Sequence, residues 1–147
     1  MKKVWELFQK SQRLLNQEQG FCVKINGIGL SIAIIYPNIY SIGMANLGWQ
    51  QVYYLLNQIN GVYCERAFLP EPEDIQLLKE HSSSLRSLES QKPLNEFDIL
   101  AFSISFENDY LNILEILSLA HVPLLAEERN PLFHPLIIAG GVCAFSN

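Results

Sequence analysis

Four short apolar runs alternate with segments of helical periodicity along this chain of 147 residues. The runs lie at residues 30–36, 62–69, 99–105 and 136–139, and the first is almost wholly apolar and rich in isoleucine. Such a run is typical of a strand buried on both faces, as in a parallel sheet. Because strands that alternate with helices specify a parallel sheet, we predict an α/β fold of the Rossmann-like or flavodoxin-like class. Its sheet is open and mostly parallel, with helices on both faces.

Several segments between these runs have the apolar spacing of amphipathic helices. We predict helices over residues 3–17, 44–59 and 109–120, and a short helix that opens at residues 70–74. The second helix has a predicted buried stripe of Ala45, Gly48, Trp49, Val52, Leu55, Leu56 and Ile59. The serine-rich segment 82–95 is predicted to be a surface loop.

The predicted organisation is an N-terminal amphipathic helix in residues 1–20, followed by a Rossmann-like domain over residues 21–147. That domain is predicted to begin with a short strand at residues 21–25 and a turn at Asn26-Gly27. The fourth apolar run is followed by only a few residues, and natural proteins seldom leave an apolar edge strand uncovered. We therefore expect the domain to be incomplete at its C-terminal side, or its edge to pair with a partner chain.

Charge and cysteine content exclude several classes of function. The formal net charge is −5 and the pI is about 5.1, whereas nucleic-acid binding requires a basic surface. Cys22, Cys64 and Cys143 are few and far apart, which disfavours a disulfide framework or a zinc site and favours the cytoplasm.

No signal peptide is expected, because Glu6 interrupts the N-terminal segment. No membrane span is expected either, because the uncharged stretch 25–64 lacks about 20 consecutive apolar residues.

Three small, polar, glycine-bearing loops follow the first, third and fourth apolar runs, at residues 37–48, 103–109 and 140–147. In an open parallel sheet, ligands bind beyond the carboxyl ends of the strands, where the strand order reverses. We therefore take ten residues of these loops as a candidate cofactor-binding rim. They are Asn38, Tyr40, Gly43, Met44, Asn46, Ser103, Ser105, Glu107, Gly140 and Gly141.

Each of these loop residues also has a structural interpretation. Gly43 permits a tight turn and Gly48 permits close packing of the helix, while asparagines cap their own turns. Glu107 compensates charge at a helix N-terminus, and Cys143 is a small buried residue. The acidic residues from Glu65 to Glu80 are taken as a solvated face. No catalytic or metal-ligating residue is predicted.

Four stretches in order resemble a family of large bacterial radical S-adenosylmethionine proteins. Residues 36–48 read YPNIYSIGMANLG, close to the family pattern Tyr-Pro-Asp-x-Tyr-x-x-Gly-Met-Ser-Asn-Leu-Gly. The later stretches read ERAFLP at 65–70, SLESQKPL at 87–94 and IAGGVCAF at 138–145, and the run FDILAFS at 97–103 also fits. The resemblance covers residues 28–147, with Asn38 in place of the family's aspartate and Val142 in place of a proline.

The resemblance implies an N-terminal Rossmann-like domain similar to cobalamin-binding domains, followed by a radical domain. It implies that a 4Fe-4S cluster and S-adenosylmethionine belong to that later domain, through a Cys-x-x-x-Cys-x-x-Cys motif outside this chain. The Asp-x-His-x-x-Gly motif of base-off cobalamin binding is not present, because no histidine precedes His81. Cobalamin binding is therefore not expected in that mode.

The function expected from the resemblance is that of an accessory domain in a radical S-adenosylmethionine, iron–sulfur enzyme. The domain would shape or cover the active site, and its partner would be the radical domain. This chain alone is not expected to be an enzyme. The alternative is a free-standing, non-catalytic interaction module that pairs with another chain through its sheet edge.

Overall fold

The computed structural model describes residues 4–21 and 29–146. In chain order the helices and strands are α1 (Val4–Gln17), β1 (Leu30–Tyr36), α2 (Tyr40–Gly43), α3 (Leu47–Gln58), β2 (Val62–Phe68), α4 (Pro72–Glu80), β3 (Ile99–Ser103), α5 (Asp109–Leu119), β4 (Leu136–Gly140) and α6 (Val142–Ser146). Short 3-10 turns cover Leu94–Glu96 and Ala126–Glu128. The strand predicted at 21–25 and the turn at Asn26-Gly27 fall almost wholly outside the described residues.

The four strands form one parallel sheet in the order β2-β1-β3-β4. β1 lies between β2 and β3, with Ile35 paired to Ala67 on one side and to Phe102 on the other. Five consecutive residues of β1, 32–36, are buried, as expected for a central parallel strand. The predicted α/β fold of the Rossmann-like or flavodoxin-like class is confirmed.

The two faces of the sheet have separate apolar clusters, because alternate strand residues point to opposite faces. One face packs against α3 through Ile32, Ile34, Tyr36, Trp49 and Tyr53. The opposite face packs against α4 and α5 through Ala33, Ile35, Leu78, Ile116 and Leu117. The helices that follow β1 and β3 therefore lie on opposite faces, which opens a crevice between the carboxyl ends of these two strands.

The predicted helix 44–59 is divided, and its predicted buried stripe is wrong in part. A short helix, α2, ends at Gly43, and α3 begins at Leu47 because the Asn46 side chain caps it by accepting the Trp49 N–H at 2.9 Å. Its buried residues are Trp49, Tyr53 and Asn57, whereas Val52, Leu55 and Ile59 are about half exposed. Asn57 lies on the buried face because its amide pairs with the backbone N–H and carbonyl of Cys64.

Segment 82–95 is not the surface loop that its serines predicted. Five of its side chains are buried: Leu85, Ser87, Leu88, Glu89 and Leu94. An antiparallel bridge between Arg86 and Pro93 closes the segment on itself, and Leu85 and Leu94 join the core. The segment is buried because it pairs with β2: the Leu88 N–H donates to the Arg66 carbonyl at 2.7 Å.

The strand β4 forms one edge of the sheet and is largely exposed. Leu136 is 60% exposed and Ile138 is 45% exposed. Within the described part of the chain, β4 pairs with β3 only. It is therefore an apolar edge strand. Within the same residues, no helix has the length and apolarity needed to cross a bilayer.

Candidate functional site at the carboxyl ends of the strands

The three predicted loops meet at the carboxyl edge of the sheet. Asn46 Nδ2 donates to Ser105 Oγ at 3.2 Å, which joins the loop after β1 to the loop after β3. The Ile104 N–H donates to the Gly140 carbonyl at 2.8 Å, which joins the loop after β3 to the loop after β4. The structure therefore brings Asn46, Ser105 and Gly140 onto adjacent strand ends, as the parallel topology requires.

Asn38 binds the protein's own groups. Its Oδ1 accepts the Ile39 N–H at 2.9 Å, and its Nδ2 donates to Asp109 Oδ1 at 3.0 Å. Asp109 is 1% exposed, and its other oxygen, Oδ2, has no hydrogen-bond partner among the described residues. Asp109 is the residue that sequence reasoning missed, because it is not among the ten predicted rim residues. An acidic residue at the start of a helix ordinarily compensates the helix dipole, so the sequence offered no sharper signal.

The loop after β4 contributes backbone groups rather than side chains to the carboxyl edge of the sheet. Gly141 has φ +105°, a conformation that residues with a Cβ rarely adopt, and a Cβ there would lie 2.5 Å from the Ile104 carbonyl oxygen. The Cys143 N–H donates to the same carbonyl at 3.2 Å. Ser103 ends β3 half-buried, and Glu107 is exposed in the turn before α5.

Three predicted rim residues lie toward β2, away from the crevice between β1 and β3. The Tyr40 hydroxyl donates to Glu18 Oε1 at 2.6 Å. Burial of the hydroxyl and, to a smaller extent, this hydrogen bond raise the pKa of Tyr40 to about 12. Gly43 packs against the Phe68 ring. The Met44 sulfur accepts a hydrogen bond from the Arg66 guanidinium at 3.3 Å.

Tyr40 and Met44 contact a buried ion cluster centred on Arg66, which is 2% exposed. Its Nε lies 2.6 Å from Glu89 Oε1, and Nη2 lies 2.8 Å from Glu18 Oε2. The guanidinium also lies over the Tyr53 ring at 4.8 Å. Burial lowers the pKa of Arg66, but the charge of Glu89 and the hydrogen bond with Glu18 outweigh this effect and raise it above its usual value.

The prediction that the acidic residues from Glu65 to Glu80 form a solvated face is wrong in part. Glu65 is buried and accepts the Ser90 hydroxyl at 2.7 Å, and Asp74 is buried and accepts from the Lys10 ammonium at 2.6 Å. For β2, the sequence did offer a signal of buried polar contacts, namely the charged pair Glu65-Arg66 inside a strand that is otherwise apolar. Charged residues are rarely buried unless they are paired.

The described residues do not fit a 4Fe-4S cluster. Cys64 and Cys143 lie on separate elements, β2 and α6, and cluster binding requires several converging thiolates. Burial, with the charge of Glu89, raises the pKa of the Cys64 thiol to about 12, which disfavours the thiolate. Across residues 4–21 and 29–146, no group of three or more His, Cys, Asp or Glu side chains converges as metal ligands would.

The fold and these loops define an open parallel α/β domain of the Rossmann-like or flavodoxin-like class. Residues 48–147, more than two thirds of the chain, match the family described as radical SAM proteins, N-terminal. The chain therefore belongs to the N-terminal domains of radical S-adenosylmethionine proteins. This confirms the resemblance at that level. No curated protein and no solved structure is significantly similar to this chain.

Proposed function

We propose that this chain is a non-catalytic accessory domain that docks on the radical domain of a radical S-adenosylmethionine, iron–sulfur enzyme and helps to cover its active site. Family membership supports the role of an accessory domain in a radical S-adenosylmethionine protein. The rim residues support a non-catalytic role, because Asn38, Asn46 and Ser105 bind one another or neighbouring protein groups. In this proposal, the 4Fe-4S cluster and S-adenosylmethionine bind to the radical domain, and the protein is cytoplasmic.

The apolar edge strand β4 is the observation that carries the docking proposal. A parallel edge strand presents unpaired N–H and C=O groups that can accept a further strand, and natural proteins usually protect such edges. Here the edge also presents apolar side chains, and Val142 and Phe145 of α6 are 74% and 96% exposed beside it. A partner that adds a strand to β4 would bury both the backbone groups and these side chains.

The docking surface extends onto the face of the sheet that α3 covers only in part. Ile99 and Ala101 of β3 join the cluster beneath α3 but remain half-buried. Their registered partners on β4, Leu136 and Ile138, point to the same face and are exposed. Within the described residues, no helix packs over this half of the face, so a helix of the radical domain would cover it.

The first test is the intact mass of the native protein from its source cells, with the coding DNA sequenced beyond codon 147. We expect a frame that continues into a segment with Cys-x-x-x-Cys-x-x-Cys. A frame that stops at Asn147 would instead support the alternative, a free-standing module that binds another chain through β4. The exposed edge favours docking in either case, but only the first result places the radical domain in the same polypeptide.

The second test measures backbone hydrogen exchange of residues 136–140 in the intact native protein and in this chain alone, the latter at a concentration at which light scattering shows it to be monomeric. We expect exchange of these amides to be at least about tenfold slower in the intact protein, because pairing protects edge amides. Amides of the central strand β1 provide the internal control and should change little. Equal exchange of β4 in both samples would contradict docking through this edge.

A further inference from the structure

A cavity of about 240 Å³ lies between α1 and the carboxyl end of β2, on the side of the domain away from the edge strand β4. α1 forms its roof, and β2 with the segments after it forms its floor. Its walls are mainly apolar and include Leu7, Phe8, Leu14, Phe68, Leu85 and Leu88. A concave, mostly apolar pocket with a few polar groups is the usual form of a small-molecule site.

Polar contacts near the middle of α1 and just after its C-terminal end hold this helix over the cavity. Near the middle of α1, the Lys10 ammonium lies 2.6 Å from Asp74 Oδ2 on α4. Just beyond its C-terminal end, Glu18 contacts Arg66 at 2.8 Å and accepts the Tyr40 hydroxyl at 2.6 Å. These contacts hold α1 against the rest of the domain, and Lys10, Asp74 and Tyr40 form polar parts of the cavity wall.

Arg86 lines the cavity and lacks a full set of partners. One terminal nitrogen donates to the Gln91 carbonyl at 2.7 Å, and the guanidinium carbon lies 5.0 Å from the centre of the Phe8 ring. Its Nε is buried and has no hydrogen-bond partner among the described residues. Within the same residues, no carboxylate forms an ion pair with Arg86, in contrast to Arg66, which has two. A cation in an apolar pocket is stabilised by an anion.

From these observations we propose that the cavity binds a small molecule with an apolar body and one anionic group, with the anion paired to Arg86. A medium-chain carboxylate has this chemistry: its hydrocarbon chain would contact the leucine walls, and its carboxylate would accept hydrogen bonds from the guanidinium. The site is separate from the docking surface at β4 and does not depend on it.

The test is calorimetric titration of the full chain with decanoate and with the uncharged analogue 1-decanol. We expect saturable binding of one decanoate per chain. Arg86→Gln should weaken decanoate binding at least tenfold and leave decanol binding within about twofold, whereas Arg86→Lys should retain most of the preference for the acid. An equal effect of Arg86→Gln on both probes, or no binding of decanoate at millimolar concentration, would overturn the proposal.

Two tryptophan variants distinguish the cavity from the exposed apolar surface. Leu14→Trp places the larger side chain in the cavity and should abolish decanoate binding. Leu55→Trp adds the same side chain on the exposed face of α3 and should leave binding unchanged. If Leu14→Trp unfolds the chain, the smaller change Leu14→Phe should still weaken binding. Binding that survives the Leu14 substitutions, or that Leu55→Trp removes equally, would assign decanoate to another surface and refute the cavity site.

Discussion

Gly43 shows at the scale of one residue why α2 can lie against the sheet. A Cβ at this position would lie 2.6 Å from one carbon of the Phe68 ring and 3.2 Å from the Tyr36 Cβ. The ring is itself held between Tyr40 and Trp49, with ring centres 5.2 and 5.1 Å away. Glycine is needed here because of close packing and not because of an unusual φ.

We predict that Gly43→Val lowers the free energy of unfolding by about 3 kcal/mol, because overpacking in a filled core typically costs 1–3 kcal/mol. Asn46→Ala should cost less, about 1 kcal/mol, since it removes one helix cap. Gly48→Ala is the matched control: its Cβ would meet only the Asn46 amide oxygen at 3.4 Å, so it should be neutral or stabilising. Urea denaturation of the variants measures the order, and equal midpoints for Gly43→Val and Asn46→Ala would contradict this account.

Asp98 lies just before β3 and joins the start of β3 to the start of β1. Its Oδ2 accepts the Ser31 hydroxyl at 2.6 Å and the Ser31 N–H at 2.7 Å, and these bonds hold the pKa of Asp98 below its usual value. Because the pKa is lower in the folded state, the carboxylate stabilises the fold above about pH 4, the pKa range of an aspartate in an unfolded chain. That stabilisation is lost as the pH falls through the folded pKa.

We therefore predict that Asp98→Asn is less stable than the wild type near neutral pH, and that this difference shrinks as the pH falls below about 4. Denaturant midpoints of both proteins across this range provide the measurement. Ser31→Ala removes the hydroxyl donor and should reduce the pH-dependent difference as well. A difference that stays constant with pH would show that Asp98 acts through packing alone.

At the scale of elements, Arg66 links β2 to the segment after α1 and to the segment before β3. Glu18 and Glu89 reach it from these two sides. Glu89 also accepts the Arg66 N–H at 2.7 Å, so one carboxylate satisfies both the side chain and the backbone of the same residue. The removal of one partner would leave a buried charge without compensation.

We predict that Arg66→Met and Glu89→Met each lower the free energy of unfolding by about 3–5 kcal/mol, the usual cost of an unpaired buried charge. The double variant should be less destabilised than the sum of the two, because both charges are then removed. Chemical denaturation of the four proteins forms a double-mutant cycle. Additive effects would mean that the two side chains do not depend on each other.

The helices show where periodicity is an insufficient guide at this scale. In α3 the apolar residues Val52, Leu55 and Ile59 have helical spacing, but the structure buries Tyr53 and Asn57 instead. The pattern predicted a helix, and the helix is there, but its orientation depends on the amide of Asn57 and the backbone of Cys64. Such a contact joins two elements, so no single segment of sequence reveals it.

At the scale of the whole molecule, the end of the sheet formed by β4 and α6 presents a group of exposed apolar side chains. β4 and α6 expose Leu136, Ile138, Val142 and Phe145. At the other side, β2 is covered by the buried segment 85–89. Contiguous apolar patches of this kind usually mark interaction sites, and in an isolated domain they promote association.

We predict that the purified chain alone self-associates with increasing concentration, and that Ile138→Lys weakens this association at least about fivefold. Burial of the exposed part of an isoleucine contributes about 1 kcal/mol, which corresponds to that factor. Sedimentation or light scattering provides the measurement. The control Trp5→Lys changes a side chain of similar exposure on α1 and should have little effect. A chain that stays monomeric at high concentration would contradict this prediction.

The sequence by itself determined the strands, most of the helices and the class of the sheet. Apolar runs and helical spacing are local, and their alternation restricts the topology to a parallel sheet. It also identified the loops that meet at the carboxyl edge, because parallel strands place those ends together.

Only the tertiary structure decided which polar groups are buried and what they contact. Arg66 pairs with Glu18 and Glu89, which are 48 and 23 positions away in the sequence. Asp109 meets Asn38 across 71 positions, and Arg86 lines a cavity beneath a helix near the N-terminus. A buried polar group requires a partner, but its identity depends on which distant segments fold against each other, and local patterns contain no record of that choice.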